Sequence, residues 1–225
     1  LLLLAAILGT CDAWAAAERP QPDPEAGRAA FDQHCARCHG ATGKGDGRDA
    51  KRFFPRPRDL TSGVYKIRTT ASGTVPTDDD LYRTLDHGLA AGGMPDWSHL
   101  DPAARWHLVD YLKTLSTNFQ DNPPQPVEIG TDPGRAANLA TGKHVYEKLG
   151  CAACHGASGR GNGMSSTSLS DDWGFAIRPA NLTQGWNYRG GAEPKDIATR
   201  MLTGIDGAQM PSYAEAASVD ETWHL

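Results

Sequence analysis

Two short runs carry the residues best suited to chemistry: Cys35-Ala36-Arg37-Cys38-His39 and Cys151-Ala152-Ala153-Cys154-His155. Two thiols three residues apart lie on one helical turn, and an imidazole follows them directly. That spacing suits the covalent attachment of a c-type haem. Each thiol forms a thioether to a vinyl group, and the His presents its ring to the iron from the same side. Zinc is the main rival reading, because paired Cys and His also ligate it. A zinc site normally takes a second ligand pair at short spacing, and neither run has one. Disulfides are a weaker rival. The recurrence of the motif with matching surroundings favours two haem c groups per chain, held covalently by Cys35, Cys38, Cys151 and Cys154, with His39 and His155 as axial ligands.

Each iron then needs a second axial donor. Met94 follows His39 by 55 residues, Met210 follows His155 by 55, and each Met precedes a Pro. A thioether sulfur is a soft ligand for haem iron, and His/Met ligation raises its reduction potential. The matched positions make Met94 and Met210 the expected partners. Met164 and Met201 lack such a match and read as flexible core filler.

The elements that position these residues also come twice. The CxxCH runs are shifted by 116 residues, and so are Gly92-Gly93-Met94-Pro95 and Ala208-Gln209-Met210-Pro211. Arg56-Pro57-Arg58-Asp59-Leu60-Thr61 returns as Arg178-Pro179-Ala180-Asn181-Leu182-Thr183, and Trp106-His107-Leu108 as Trp223-His224-Leu225. A period this long means two copies of one small domain, not a solenoid. The expected division is 23–118 for the first, a Pro-rich linker over 119–133, and 134–225 for the second, whose last helix reads as truncated. Asp23-Pro24, Thr77 and Asp101-Pro102 each predict a helix start. Thr141 to Gly150 and Pro194 to Gly204 read as helices of the second copy. The segments 44–72 and 158–190 read as loops, and no segment alternates convincingly as a strand. The fold class is therefore all-α, two tandem domains with long loops, each wrapped around one haem.

Composition agrees. Hydrophobic residues make up 39% of the chain, charged residues 22%, and Gly and Pro number 25 and 15. This fits a folded, loop-rich protein whose apolar side chains are few for a core made by protein alone. The net charge of −5 gives no sign of a nucleic-acid binder. Residues 1–17 combine an apolar run with small residues and read as the remnant of an export signal, which places the protein in the periplasm. Cys11 ends that run, but Thr10 is a poor residue before a lipid-modified cysteine, so a lipid anchor is not the favoured reading.

The paired motifs Cys35-x-x-Cys38-His39 with Met94-Pro95, and Cys151-x-x-Cys154-His155 with Met210-Pro211, resemble those of class I c-type cytochromes. The resemblance covers residues 25–118 and 134–225, and the layout is similar to dihaem, cytochrome c4-like electron carriers. It implies helices packed around each haem and electron transfer as the function. It also implies that the carbonyls of Pro57 and Pro179 receive the ring N–H of His39 and His155, a bond that would orient each imidazole. Asp59 stands where the family commonly has Asn; Asn181 keeps the usual residue.

His34, His87, His99, His107, His144 and His224 read as surface or cap residues. His87 and His99 flank Met94 and are the substitutes for it if the loop rearranged. Phe53, Phe54, Tyr65, Trp97 and Trp106 are expected to wall the first haem pocket, and Trp173, Trp186, Tyr188 and Tyr213 the second. Arg68 and Arg189 are candidates to pair with haem propionates. Eight basic and three acidic residues lie between Lys44 and Arg68, a loop suited to steering an acidic redox partner.

Function then reads as electron transfer between a redox protein donor and acceptor, either as a carrier or as the cytochrome subunit of a membrane or periplasmic dehydrogenase or oxidase complex. No catalytic residue, small-molecule substrate or nucleic acid enters this reading. A dihaem peroxidase is the enzyme alternative. It needs an open or labile iron, and matched Met ligands at both sites argue against that.

Overall fold

A computed structural model describes residues 19–134 and 138–225. The apolar N-terminal run, the export signal and Cys11 lie outside the described residues. Each half opens on a helix that is capped and then broken just before its CxxCH run. Helix α1 (Pro24–His34) starts at Asp23, whose carboxylate accepts from the Ala26 amide. The turn α2 (Ala36–His39) follows at once and carries Cys38 and His39. In the second half, α6 (Leu139–Lys148) is capped by Asn138 and leads into α7 (Ala152–His155).

Helix α3 (Asp78–His87) starts at a reciprocal capping box between Thr77 and Asp80, and α4 (Pro102–Thr114) starts at Asp101 with Pro at its first position. A short turn, α5 (Asn118–Asp121), closes the first half. The second half continues with α8 (Pro194–Thr203) and α9 (Val219–His224), the latter with its own capping box, Ser218 and Glu221. Helix α1 crosses α4, and α6 crosses α9. At the two crossings Gly27 and Gly142 face the carbonyls of His107 and His224, and a Cβ at either position would overlap that carbonyl. Glycine is what permits the helix axes to come this close.

Phe31 (α1), Leu81 and Leu85 (α3) and Trp106, Leu108, Val109 and Leu112 (α4) bury one compact cluster with Leu60. The second half buries Val145, Ala198, Met201, Leu202 and Trp223. Among the described residues, β-pairing is limited to isolated bridges, two of which, Leu89 with Met94 and Ile205 with Met210, close equivalent turns. No described helix is long and apolar enough to cross a membrane.

Residues 119–121 of the Pro-rich connection belong to α5, residues 122–133 form no helix, and the segment is tied down. The Val75 amide donates to the Asn122 carbonyl (3.5 Å), Ala71 to Gln125 (2.8 Å) and Val127 to Thr69 (2.9 Å). At its far end the Ile129 carbonyl accepts from the Trp223 indole (2.6 Å). The connection thus lies along the first half and reaches a core residue of the second.

Candidate functional site

One continuous cavity of about 1210 Å³ runs through both halves. Cys35, Cys38, His39 and Met94 line it on one side, and Cys151, Cys154, His155 and Met210 on the other. A single small-molecule pocket is commonly about 300–1,000 Å³, so this space exceeds what one ordinary ligand needs. Phe31, Leu81, Leu85 and Leu108 make the first wall apolar; Ile177, Ile197, Met201 and Ile205 do the same for the second.

The two sites share a set of backbone bonds. The first amide after the CxxCH turn returns to the helix, Gly40 to Ala36 (2.8 Å) and Gly156 to Ala152 (2.9 Å). The Gly45 and Gly161 amides donate to the His39 and His155 carbonyls, both at 2.8 Å. The turn before each Met is closed by an amide-to-carbonyl bond of 2.9 Å, Leu89 to Met94 and Ile205 to Met210. The next element is fastened alike, Trp97 to Leu85 (2.8 Å) and Tyr213 to Met201 (2.9 Å).

The ring contacts of the two histidines correct the sequence expectation by one residue. His39 Nδ1 lies 3.1 Å from the Arg58 carbonyl and His155 Nδ1 lies 2.9 Å from the Ala180 carbonyl. Pro57 and Pro179 do not supply the acceptor. The loop is pinned by the Leu60 amide on Gly43 (2.7 Å) and the Leu182 amide on Gly159 (2.6 Å), which turns the carbonyl two residues before each Leu towards the ring. The Pro carbonyls instead press on Gly45 and Gly161, where an added Cβ would meet them at 2.6 and 2.9 Å. The physical role is unchanged: the bond fixes the imidazole by one nitrogen and leaves the other for a metal. Burial, followed by the charge of Arg58, holds the His39 imidazole below its ordinary value, so it presents the neutral, ligating form.

The thiols fit covalent attachment better than the rival readings. Cys35, Cys38, Cys151 and Cys154 are free of disulfides. Burial pushes the Cys35 thiol up to about 12 and raises Cys38 and Cys151 as well. Among the described residues, no group of three or more His, Cys, Asp or Glu is arranged to hold a metal ion.

Whether a haem suits this space is tested by two polar groups on its wall. Arg58 Nη1 and the Tyr65 hydroxyl are buried and lack a hydrogen-bond partner among the described residues. Buried donors of this kind are normally satisfied. Two donors beside an apolar cavity fit the carboxylates of a haem, whose ring the apolar walls would cover. Burial pushes the Arg58 guanidinium down to about 10, and its carbon sits 3.9 Å over the Trp173 ring of the second half.

Several expected wall residues lie elsewhere. Phe53, Tyr65, Trp97, Tyr188 and Tyr213 line the cavity. Phe54 and Trp186 point out, 58% and 81% exposed. Trp106 belongs to the core and stacks on Tyr82 at 4.3 Å, and Trp173 is the platform for Arg58. Met201 is buried and lines the second wall of the cavity, whereas Met164 is 94% exposed and fills nothing. His34 is half-buried against Trp97 rather than on the surface. His87 and His99 are exposed and stand off the cavity; His224 accepts the Asn138 amide (3.0 Å). Arg189 lines the cavity, but Arg68 does not: it is 1% exposed and bonded to Asp206 at 2.8 Å. Arg200, Asp196 and Asp206, which meet the first half across the seam, carried no local sequence signal.

Known proteins resemble the chain at both levels. A chain of the Kuenenia stuttgartiensis reducing HAO-like protein complex superposes with a TM-score of 0.86 at 41% identity, covering 92% of this chain and 96% of that one. The cbb3-type cytochrome c oxidase subunit CcoP of Azospirillum brasilense is 29% identical over 84% of this chain and 55% of its own length. Subunit FixP of Azorhizobium caulinodans is 29% identical over 75% of this chain and 51% of its own length. The chain spans about half the length of these curated relatives. The family described as "Cytochrome C oxidase, cbb3-type, subunit III" matches twice, over 22–112 and again over 137–225. The repeat is therefore a pair of cytochrome c domains, each taking one haem c, and the chain belongs to that family of electron-transfer proteins.

Proposed function

We propose that the chain moves electrons between a redox protein donor and acceptor in the periplasm, as a carrier or as the cytochrome subunit of a respiratory oxidoreductase. Cys35, Cys38, Cys151 and Cys154 form the thioethers, and His39 with Met94 and His155 with Met210 supply the axial donors. The bound haems supply the one-electron chemistry. The chain's own residues orient the ligating rings through Arg58 and Ala180, hold carboxylates at Arg58 and Tyr65, and exclude water with apolar walls. The working units are 23–118 and 134–225, joined by 119–133. The relatives that are oxidase subunits, and the neighbour found in a complex, support a role within an assembly.

The observation that carries this reading is that both Cys-Cys-His-Met sets face one cavity in matched geometry. With a His and a Met for each iron, neither keeps an open position for substrate, which favours a carrier over a dihaem peroxidase. Carbon monoxide added to the reduced holoprotein decides between them. Two inert haems are expected; binding at one haem would point to the peroxidase.

A further inference from the structure

The turn that carries the second Met is fastened from the other half of the chain. Asp206 lies four residues before Met210, inside the turn closed by the Ile205 amide and the Met210 carbonyl. Its carboxylate accepts from three first-half groups: Arg68 Nη2 (2.8 Å), the Ser72 hydroxyl (2.7 Å) and the Gly73 amide (2.9 Å). Arg68 is itself held in place, donating to the carbonyls of Thr203 (2.8 Å), Tyr65 (3.2 Å) and Ala71 (3.4 Å). Arg200 reaches back from the second half to the carbonyls of Lys66 (3.2 Å) and Arg68 (3.4 Å).

The first Met sits in an equivalent turn, yet the residue matching Asp206 under the 116-residue shift is Ala90, which has no polar side-chain atom. The carboxylate fastening therefore has no counterpart at the matching position of the first turn. Arg68 is fully buried and Asp206 only partly so, and removing Asp206 leaves the buried guanidinium without its carboxylate. Opening the turn around Asp206 takes the carboxylate away from the buried Arg68, and the turn carries Met210 with it.

We propose that Asp206, gripped by Arg68, Ser72 and Gly73, is a positioning residue for Met210, so that the first domain holds closed the axial-ligand turn of the second haem. This rests on the reading of Met210 as an axial ligand. The two halves are then linked chemically as well as spatially: whatever loosens the seam alters ligation at the second iron and spares the first.

The test uses the holoprotein and two readouts, the sulfur-to-iron charge-transfer absorption of the oxidised form and a spectroelectrochemical titration. Met94→His and Met210→His assign the two waves. In Asp206→Ala the charge-transfer absorption is expected to fall by about half, as two His/Met haems contribute alike. The second wave should move in the direction that Met210→His moves it, with the first wave unchanged. Asp206→Asn keeps an acceptor for Ser72 and Gly73, and Ser72→Ala keeps the ion pair. Both should give smaller shifts in the same direction, and they decide the matter if Asp206→Ala does not mature. If Met210→His moves the second wave while the Asp206 and Ser72 variants leave it alone, or shift both waves equally, the proposal is overturned and the ligand reading stands. If Met210→His itself changes nothing, the ligand reading fails and the proposal with it.

Discussion

The two halves present the same ligand set in different enclosures. In the first, Phe31, Leu81, Leu85, Leu108 and Leu112 close a continuous cluster behind the cavity, and burial is strong enough to displace both Cys35 and His39 from their ordinary titration. In the second, the contact of His155 with the Ala180 carbonyl is exposed, whereas that of His39 with the Arg58 carbonyl is partly buried. The second haem site therefore stands closer to water. Enclosure disfavours the more positive oxidised iron, and so does nearby positive charge. Both point to the first haem as the site of higher potential. Residues 127–225 add eleven acidic against eight basic residues around the second. Electrons would then enter through the second domain and rest on the first.

The comparison breaks most visibly if one haem is removed at a time. Cys35→Ala with Cys38→Ala, and separately Cys151→Ala with Cys154→Ala, should each leave one covalent haem by intact-mass spectrometry after acid-acetone extraction. Retention of two haems in either variant would mean that its thiols are not the attachment points. The potentials come next. Met94→His should lower one wave and Met210→His the other, because imidazole stabilises Fe(III) better than a thioether does. A first-haem wave below that of the second would show that enclosure and nearby charge do not set the order.

Helix crossing gives a third contrast. Gly27→Val and Gly142→Val each force a side chain into a backbone carbonyl, an overpacking that costs about 1–3 kcal/mol. Denaturant titration of the holoprotein should show the larger loss for Gly27, since α1 and α4 frame the main cluster. A smaller effect follows from Arg58. Its replacement by Leu removes a buried positive charge from the cavity wall, so the first wave should fall, and the second by less. A rise would place the charge nearer an acidic group than an iron.

The smallest expected effect is on pH. Burial, then the neighbouring charges of Arg58 and Arg189, pushes the Lys66 ammonium down to about 8 from an ordinary 10.5. The folded protein thus releases this proton before the unfolded chain does, and stability rises with pH between about 8 and 10.5. Loss of the charge through the same onset should lower the potential of the nearer haem. Lys66→Met should flatten that part of the titration; a slope that survives belongs to another group.

What the sequence made legible is local. Asp23-Pro24, Thr77 with Asp80, and Asp101-Pro102 announce three helix starts within three or four residues, and all three begin there. The fixed interval from His to Met brought both Met residues to the cavity that holds the CxxCH runs. The seam left no such trace. Arg68 meets Thr203 across 135 residues of chain, and no spacing rule links them. The Pro57 and Pro179 expectation failed by one residue because the acceptor is chosen by how the loop is pinned at Leu60 and Leu182. Trp106 and Met164 misled for a related reason. Residue type tells that a side chain is apolar but not which way its helix or loop turns it.

The strapped connection has a consequence for how the halves stay docked. With residues 122–129 bound along the first half and touching Trp223, little slack chain separates the partners. A short tether keeps two surfaces at an effective concentration on the order of millimolar or above. The seam can therefore be assembled from bonds that are individually weak, such as Arg83 to Asp196 at 2.7 Å, and still remain closed. Cutting the connection would turn a unimolecular docking into a bimolecular one, and at cellular dilution those same bonds would no longer hold the two cytochrome domains together.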